Sequence, residues 1–315
     1  MSVLLEVDGL CKSFGNLKAV DQLSFQVEQG EAFGLLGPNG AGKSTTMMMI
    51  CGLLQPDAGD VRLEGRSLNR QHPVSRSLMG VVPQDLAIYP DLTARENLQF
   101  FGRLYHLDKA TLQRRVNETL DQVGLLGRAD DLAATFSGGM KRRLNFAAAV
   151  LHKPVLLILD EPTVGVDPQS RAHLIECIRQ LQAAGTAIIY ASHYMEEVQV
   201  ICSRVAIVDH GRLLACDLIP VLLHQIPLEV EFRLGTSSLP AAFEPGPCAV
   251  LERSVDEMTL RICNAGGNSE TAISSEITRI LNSLAQHQIS VRSIRTHEPS
   301  LERLFLKLTG HTLRD

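Results

Sequence analysis

The sequence lacks the long apolar segments that cross a membrane. No uninterrupted apolar run reaches the roughly 18 residues that a spanning helix needs. The longest candidates, 154–159 and 218–228, are too short or are broken by Pro220, His224 and Pro227. The N-terminus also has neither the basic segment nor the long apolar core of a secretory signal. We therefore expect neither a spanning segment nor a signal peptide.

Cysteines are few, scattered and odd in number, and no two of them form a C-x-x-C pair. This pattern favours reduced, mostly buried thiols in a cytosolic protein over a disulfide framework. The seven residues are Cys11, Cys51, Cys177, Cys202, Cys216, Cys248 and Cys263.

An excess of positive charge is also missing. Lysine and arginine number 30 against 35 acidic residues, which gives a formal net charge of −5. A surface that coats nucleic acid needs the opposite balance, although a local basic patch is compatible with these numbers. We therefore expect no nucleic-acid partner.

What the sequence does contain is a glycine-rich loop that matches G-x-x-x-x-G-K-[ST] without a mismatch. The loop reads Gly37-Pro38-Asn39-Gly40-Ala41-Gly42-Lys43-Ser44-Thr45. Its glycines let successive backbone N–H groups turn inward around the oxygens of a polyphosphate. Lys43 adds a positive charge for the β- and γ-phosphates, and the Ser44 hydroxyl can ligate Mg²⁺. The motif predicts binding of a magnesium nucleotide.

The residues around this loop supply the strand and helix that the motif requires. The apolar run 32–36 predicts a buried strand before the loop. The segment from Thr45 to Leu54 predicts a helix that ends near Gly52 and Pro56. The N-terminus of that helix would point at the phosphates.

Short strands alternate with helices through the first two-thirds of the chain, as a covered parallel sheet requires, and we expect an α/β fold. A helical insertion is predicted at about 91–150, with Leu98, Phe101, Leu104 and Tyr105 on one face and Leu112, Val116, Leu120 and Val123 on another. The other predicted elements are strands at 4–7, 23–27, 61–65, 155–159, 187–190 and 205–208 and a helix at 169–184.

A chain of 315 residues can hold a nucleotide-binding domain and a smaller second domain. We place the first at 1–220 and a C-terminal accessory α+β domain at 225–315. The accessory domain is predicted to contain strands near Val250 and Leu260, a helix at 270–287, a strand at 289–294 and a capped closing helix at 299–308.

Two neighbouring carboxylates end the apolar run 155–159. Asp160 and Glu161 lie at the carboxyl end of a predicted buried strand, where open α/β sheets bind their ligands. Asp160 is placed to hold Mg²⁺, directly or through water. Glu161, one residue on, is placed to polarise the water that attacks a γ-phosphate.

A second candidate phosphate-binding element lies at Phe136-Ser137-Gly138-Gly139-Met140, just before an apolar helix. Ser137 suits a helix N-cap, and the paired glycines leave backbone N–H groups uncovered at a helix N-terminus. One chain therefore carries two separate candidate elements for phosphate.

These motifs, in this order, resemble the nucleotide-binding domain of ATP-binding cassette (ABC) proteins across about the first 215 residues. The resemblance implies a P-loop NTPase fold with a mixed sheet core, an antiparallel β subdomain and a helical subdomain. It implies that Phe14 stacks on the adenine, although tyrosine is more usual there. It also implies that Gln84 reaches Mg²⁺ and senses a membrane partner, that Asp167 meets an opposite subunit, and that His193 hydrogen-bonds the γ-phosphate.

The resemblance also implies an ATPase site shared between two copies of the chain. Ser137, Gly138 and Gly139 of one subunit would close over the ATP that Lys43 and Ser44 hold in the other, head to tail. Closing of such a homodimer on ATP and its opening after hydrolysis would be the mechanical output. One subunit alone should then be a poor ATPase.

The implied partner is an integral membrane permease on a separate chain, so we expect a peripheral location at the cytoplasmic face of the cell membrane. Met140, where glutamine is usual, and Phe136, where leucine is usual, resemble the subset that drives drug, lipid and polysaccharide or oligosaccharide exporters. The segment 299–310 resembles the ending of the same subset.

A docking groove for a permease helix is predicted near Gln84, from Tyr89, Leu98, Phe100 and Phe101. For Phe101 we expect core packing instead, and for Tyr89 docking and core packing both stay open.

Two other functions are compatible with a phosphate loop. A soluble ABC ATPase acting on ribosomes or DNA usually has paired cassettes, long coiled coils or zinc sites, and none is evident here. A P-loop kinase would leave Ser137-Gly138-Gly139 unexplained.

Overall fold

The structure is a computed structural model, and its contacts divide the chain into two compact units. The first unit comprises Met1–Ile219 and Leu308–Asp315, and the second comprises Pro220–Lys307. The residues that the structure describes are 2–68, 77–235, 249–253, 258–263 and 270–310.

The described residues form short strands and helices that alternate along most of the chain. The strands are β1 (Val3–Phe14), β2 (Leu17–Glu28), β3 (Ala32–Leu36), β4 (Ala58–Leu63), β5 (Arg66–Ser67), β6 (Met79–Val82), β7 (Leu156–Asp160), β8 (Ala187–Ser192), β9 (Arg204–Asp209), β10 (Arg212–Leu218), β11 (Glu229–Leu234), β12 (Ala249–Arg253), β13 (Met258–Cys263) and β14 (Val291–His297). The helices are α1 (Lys43–Ile50), α2 (Ala94–Leu104), α3 (Lys109–Gln122), α4 (Gly138–Val150), α5 (Pro168–Ala183), α6 (Met195–Ile201), α7 (Ile219–Leu223), α8 (Glu270–Gln286) and α9 (Leu301–Thr309).

A six-stranded sheet in the order β10-β9-β3-β8-β7-β6 forms the centre of the first unit. All neighbouring strands in it are parallel except β10, which is antiparallel to β9. The register pairs Leu36 with Ser192 and Asp160 with Ala191. The segments that follow β3, β7 and β8 therefore begin at the same edge of the sheet, which is the ligand-binding edge of an open parallel sheet.

A second sheet, antiparallel and in the order β2-β1-β4-β5, shares a hydrophobic core with the central sheet. Phe25 of β2 stacks on Phe33 of β3 with ring centroids 5.1 Å apart. Strands β1 and β2 both have buried side chains, which alternate with exposed ones in β2 from Asp21 to Val27. Both strands are 12 residues long, well beyond the predicted 4–7 and 23–27. Polar residues interrupt the apolar ones in these strands, because only one face of this sheet is buried. The apolar runs that predicted the strands are therefore shorter than the strands themselves.

The helical insertion consists of α2, α3 and α4. A capping box of Thr93 and Glu96 starts α2, and Asp108 caps α3. The predicted apolar face of α3 is confirmed, because Leu112, Val116, Leu120 and Val123 are all buried. The predicted face of α2 is wrong at Leu104, which is 58% exposed because it is the last residue of the helix, just before the chain turns at His106.

Helix α1 starts and ends earlier than the predicted 45–54. It begins at Lys43, directly after Gly42, and ends at Ile50. Gly52 then adopts a φ of 64°, a left-handed conformation that stops a helix at little cost for glycine.

The second unit is built on an antiparallel sheet in the order β12-β13-β11-β14. Val230, Phe232 and Leu260 of this sheet pack with Ile280 and Leu284 of α8. The closing helix α9 starts after Ser300, whose hydroxyl accepts a hydrogen bond from the backbone N–H of Arg303 at 3.3 Å.

The cysteines whose side chains the structure describes are free thiols. Cys51, Cys177 and Cys202 are buried, and burial raises the pKa of Cys51 to about 12. Such thiols are poor nucleophiles and metal ligands. Cys248 and the side chain of Cys263 lie outside the described residues.

Close packing of β6 against the end of α4 leads to a stability prediction. A Cβ at Gly80 would lie 2.3 Å from the carbonyl oxygen of Ala149 and 3.0 Å from Cγ of Pro154. Gly80→Ala should lower the apparent free energy of unfolding by about 1–3 kcal/mol, since overpacking must move the backbone. Gly127→Ala is the control, because a Cβ there meets nothing within 4 Å. Urea unfolding of both variants measures the effect, and equal midpoints would contradict it.

Candidate functional site

The glycine-rich loop connects β3 to α1 and packs tightly against neighbouring strands. A Cβ at Gly37 would lie 2.3 Å from the carbonyl oxygen of Val208, and one at Gly42 would lie 2.3 Å from that of Ala19. Gly42 also has a φ of 99°. Only glycine fits both positions, so the loop geometry is set by these contacts.

Lys43 is held inside the loop. Its side chain is buried, and Nζ donates to the carbonyl oxygens of Gly37 at 2.7 Å and Pro38 at 3.1 Å. Burial lowers the pKa of Lys43, while the charges of Glu161 and Asp160 act in the opposite direction. An ammonium held by carbonyl groups can exchange them for phosphate oxygens, which it binds more strongly.

A cavity of about 310 Å³ opens over the loop. Nine of the predicted site residues line it, from four parts of the first unit. Four residues that were not predicted also line it, namely Leu17, Lys18, Ala19 and His210. The predicted residues are Phe14, Asn39, Gly40, Gly42, Lys43, Ser44, Thr45, Gln84 and Glu161. The structure thus brings the loop, the aromatic residue, the glutamine and one carboxylate around one space.

Phe14 is the last residue of β1 and lies at the cavity with 49% of its surface exposed. The Nζ atom of Lys12 is 5.9 Å from the centroid of its ring. An exposed aromatic face at a cavity wall can stack on a purine base.

Asp160 lies at the end of β7, beside the loop. Burial raises the pKa of its carboxyl, a hydrogen bond with the Ser44 hydroxyl and the charge of Lys43 lower it, and the charge of Glu161 raises it. Its Oδ1 atom is buried and has no hydrogen-bond partner in the described part of the chain. A buried carboxylate oxygen without a partner, next to a hydroxyl, is an oxygen donor set that suits Mg²⁺.

A third predicted ligand belongs to this candidate cation site. Gln84 adds a side chain at the same cavity. Across the ranges that the structure describes, no three or more His, Cys, Asp or Glu side chains gather as a metal-binding group. Mg²⁺ usually takes only one or two protein carboxylates and completes its coordination with phosphate oxygens and water.

Glu161 and His193 form a contact that depends on the sheet register. They follow β7 and β8, and His193 Nδ1 lies 2.9 Å from Glu161 Oε1. The backbone N–H of Glu161 donates to the carbonyl oxygen of Ala191 at 2.9 Å. Glu161 is 6% exposed and has a φ of 47°, which a residue other than glycine keeps only when its surroundings enforce it.

Ser137, Gly138 and Gly139 are in a different place. The Ser137 hydroxyl caps α4 by accepting from the Met140 N–H at 3.3 Å, and Ser137 and Gly138 are exposed. A Cβ at Gly139 would lie 2.6 Å from Asp167 Oδ2. Asp167 in turn caps α5 by accepting from the Ser170 N–H at 2.9 Å. Among the described residues, these four predicted site residues form a second cluster and do not line the cavity.

Arg142 is a functional candidate that the sequence did not reveal. Its guanidinium is buried and donates from Nη1 to the carbonyl oxygens of Gln84 at 2.6 Å and Pro83 at 3.3 Å, and from Nη2 to that of Val164 at 3.4 Å. It links α4 to the segment of Gln84 and to the segment after Glu161. In the sequence Arg142 is one of three adjacent basic residues, a pattern that does not distinguish a buried guanidinium from a solvated one.

The aromatic residues near Gln84 form an exposed group. Tyr89 is 46% exposed and Phe100 37% exposed, with ring centroids 4.8 Å apart. Phe101 is half-buried, with its ring centroid 5.5 Å from that of Phe100. Leu98, predicted as part of the same groove, is fully buried and belongs to the core.

Comparison with known families finds that residues 20–164 match the model of a family described as ABC transporter. Two similar proteins are a linearmycin resistance ATP-binding protein of Bacillus subtilis, 43% identical over 99% of this chain and 100% of its own length, and a Nod factor export ATP-binding protein of Paraburkholderia xenovorans, 38% identical over 99% and 98%. A daunorubicin/doxorubicin resistance ATP-binding protein of Streptomyces peucetius is 35% identical over 99% of this chain and 94% of its own length.

A solved structure with the same fold is described as the ATP-binding subunit of an ABC transporter. It has a TM-score of 0.66 and 32% identity, and it covers 70% of this chain and 92% of that one. A second, an ATP-binding cassette in its ADP conformation, has a TM-score of 0.63 at 23% identity and supports the fold alone. The predicted α/β P-loop NTPase fold is confirmed.

Removing the Arg142 guanidinium should destabilise the protein. Arg142→Met leaves three carbonyl oxygens without their donor, and we expect the apparent free energy of unfolding to fall by about 1–3 kcal/mol. The control is Arg114→Met, because the Arg114 side chain is 60% exposed and makes a surface ion pair with Glu118. Denaturant unfolding tests this, and an Arg142→Met variant as stable as the control would refute it.

Proposed function

The chain belongs to the ABC transporter family, and from this premise we propose that it energises export through a permease carried on a separate chain. The observation that carries the proposal is the meeting of Lys43, Asp160, Glu161 and His193 at one edge of the central sheet. This arrangement combines a polyphosphate cradle with a carboxylate and an imidazole in contact. It suits hydrolysis of ATP.

Each side chain has a role that follows from its position. The loop 37–45 binds the phosphates, and Phe14 stacks on the adenine. Ser44, Gln84 and Asp160 hold Mg²⁺, which neutralises phosphate charge when it is bound.

Hydrolysis itself is assigned to Glu161, His193 and Lys43. Glu161 accepts a proton as water attacks the γ-phosphorus, and the bond from that phosphorus to the leaving oxygen of ADP breaks. Lys43 stabilises the charge on the β- and γ-phosphate oxygens. His193 orients Glu161 through their 2.9 Å contact and hydrogen-bonds the γ-phosphate.

The position of the second cluster supports a site that two copies of the chain complete together. Ser137 and Gly138 are exposed at the start of α4 and lie apart from the cavity of their own chain. We assign them, with Gly139 and Asp167, to the ATP held by a second copy, arranged head to tail. Closing of this homodimer on ATP and its opening after hydrolysis then drive the permease.

We propose that the permease docks on the exposed aromatic group formed by Tyr89 and Phe100. No described helix of this chain is long and apolar enough to cross a bilayer. We place the protein at the cytoplasmic face of the cell membrane, bound to its permease.

The names of the relatives support the direction and class of transport. Linearmycin resistance, Nod factor export and daunorubicin/doxorubicin resistance are functions of those proteins. For this chain we propose export of a drug, lipid or saccharide-type substrate. A soluble ABC ATPase on ribosomes or DNA is not favoured, because relatives named for export or resistance align over nearly the whole chain.

We also propose that residues 1–220 form the nucleotide-binding domain, with the helical subdomain at about 91–150, and that residues 225–315 form the accessory domain. The separate cores of the two units support this division, although the contacts group Leu308–Asp315 with the first unit.

Replacing the proposed base should separate binding from turnover. Glu161→Gln keeps the shape of the side chain but removes the proton acceptor, so we expect kcat for ATP hydrolysis to fall about 10²-fold or more while ATP still binds. The nucleotide-bound homodimer should accumulate and be visible by size-exclusion chromatography. Glu64→Gln, at an exposed carboxylate away from the cavity, is the control. Turnover at the wild-type rate would remove Glu161 from this role.

Blocking the second cluster should stop hydrolysis without stopping binding. Ser137→Arg puts a bulky charge where the other subunit's ATP is proposed to lie, so ATPase activity should fall about 10²-fold while the Kd for ATP stays unchanged. Gln113→Arg, on the exposed side of α3, controls for added surface charge. Measuring both ATP binding and turnover decides the point, and normal activity in Ser137→Arg would rule out a shared site.

A further inference from the structure

A buried carboxylate behind the candidate site has no role in the proposed hydrolysis. Glu197 lies on α6 and is 6% exposed. Its Oε2 atom accepts two hydrogen bonds, from Thr163 Oγ1 at 2.7 Å and from Tyr190 Oη at 2.6 Å. Both donor residues are fully buried. One oxygen atom therefore joins three separate segments of the chain.

Two of these segments continue into the proposed catalytic groups. Thr163 lies two residues after Glu161, in the segment that leads to Asp167. Tyr190 is in β8, three residues before His193. The Glu197 carboxylate thus ties the segment after Glu161 to the strand before His193 without lining the cavity.

An ion pair with Glu197 joins a fourth element, helix α5, to this group. Arg171, on the first turns of α5, has Nε 3.3 Å from Glu197 Oε1. Neither of these two atoms makes a hydrogen bond in the described part of the chain, so the contact is an ion pair without hydrogen-bond geometry. The Arg171 guanidinium also lies 5.3 Å from the ring centroid of Tyr194, whose ring centroid is 4.1 Å from that of His193.

The backbone of Glu161 shows why such an anchor is needed. Its φ of 47° is unfavourable for a residue other than glycine, and it persists only when the surrounding structure enforces it. The hydrogen bond from the Glu161 N–H to the carbonyl oxygen of Ala191 restrains the backbone at Glu161 itself. The hydrogen bond from the Thr163 hydroxyl to Glu197 restrains the chain two residues further along.

We propose that Glu197 is a positioning residue for ATP hydrolysis, which keeps Glu161 and His193 in contact by anchoring Thr163, Tyr190 and Arg171. This inference rests on the roles proposed above for Glu161 and His193. Glu197 and its three partners do not line the cavity, so they act on turnover and leave ATP binding alone. Small displacements of a catalytic group are sufficient to slow a reaction by large factors.

The negative charge of Glu197 matters as well as its shape. In Glu197→Gln the amide has one oxygen and one NH₂ group. If the oxygen accepts from Thr163 and Tyr190, the NH₂ group faces the Arg171 guanidinium and the ion pair is lost. If the amide turns round, both hydroxyl groups lose their acceptor. Either orientation loosens the segment after Glu161.

The test uses the full-length chain and the matched variants Glu197→Gln and Glu196→Gln. Glu196 is the neighbouring residue on α6 and its side chain is exposed, so Glu196→Gln removes the same charge without touching the anchor. We expect Glu197→Gln to lower kcat about tenfold or more, with the Kd for ATP changed by less than about threefold. Glu196→Gln should match the wild type in both.

A second measurement does not depend on turnover. Hydrogen–deuterium exchange of peptides that cover 161–167 should be faster in Glu197→Gln than in the wild type and unchanged in Glu196→Gln. Unchanged exchange together with a wild-type kcat would overturn the proposal. So would a fall in kcat matched by an equal loss of ATP binding, because that pattern reports general damage to the domain.

Thr163→Val covers the case in which Glu197→Gln does not fold. Valine has the shape of threonine but cannot donate to Glu197, so kcat should fall while ATP binding stays, and a wild-type kcat in this variant would overturn the proposal. Failure of the proposed function can be told apart from failure of the positioning role of Glu197, since the former shows as wild-type turnover in Glu161→Gln. Failure of the present inference leaves Glu161→Gln inactive and Glu197→Gln active.

Discussion

The parallel hydrogen bonding of β3, β8 and β7 is the constraint on which the candidate site depends. It pairs Leu36 with Ser192 and Asp160 with Ala191, so the phosphate loop, Glu161 and His193 all begin at one edge. A shift of one residue would turn every side chain of the shifted strand to the opposite face of the sheet and separate Glu161 from His193. The three strands are almost entirely buried and apolar, so such a shift would require repacking of the core on both faces of the sheet.

The charged side chains at this edge of the sheet are not fully paired by the described residues. Burial lowers the pKa of Lys43 and raises that of Asp160, so in each case it disfavours the charged form. The raised pKa of Asp160 means that its ionisation costs folding free energy as the pH rises through that pKa. Its Oδ1 atom also lacks a partner among the described residues. A bound cation and a polyphosphate would supply the missing interactions, so the proposed ligands should also stabilise the domain.

Two buried charged side chains, Glu197 and Arg142, form hydrogen bonds with the segment between Glu161 and Asp167. Glu197 accepts from the hydroxyl of Thr163, and Arg142 donates to the carbonyl oxygen of the next residue, Val164. Arg142 also holds Gln84 through its carbonyl oxygen. Breaking either set of bonds would leave buried polar groups without partners, and these contacts therefore limit how far the segment can move. Arg142 thus links helix α4, which is capped by the exposed Ser137, to the segment of Gln84 and to the segment after Glu161.

The sequence alone determined the class of the fold and predicted the chemistry that we propose for the site. The spacing of glycines, Lys43 and Ser44, and the two carboxylates after an apolar strand, are local patterns with a direct physical meaning. They predicted the loop residues and Glu161 at the cavity, the resemblance added Phe14 and Gln84, and the match to the ABC transporter family confirms the fold. The tertiary structure decided which residues meet. Glu197, Thr163 and Tyr190 are unremarkable in the sequence, and Arg142 resembles its basic neighbours, because burial and distant hydrogen bonds come from packing between elements far apart in the chain.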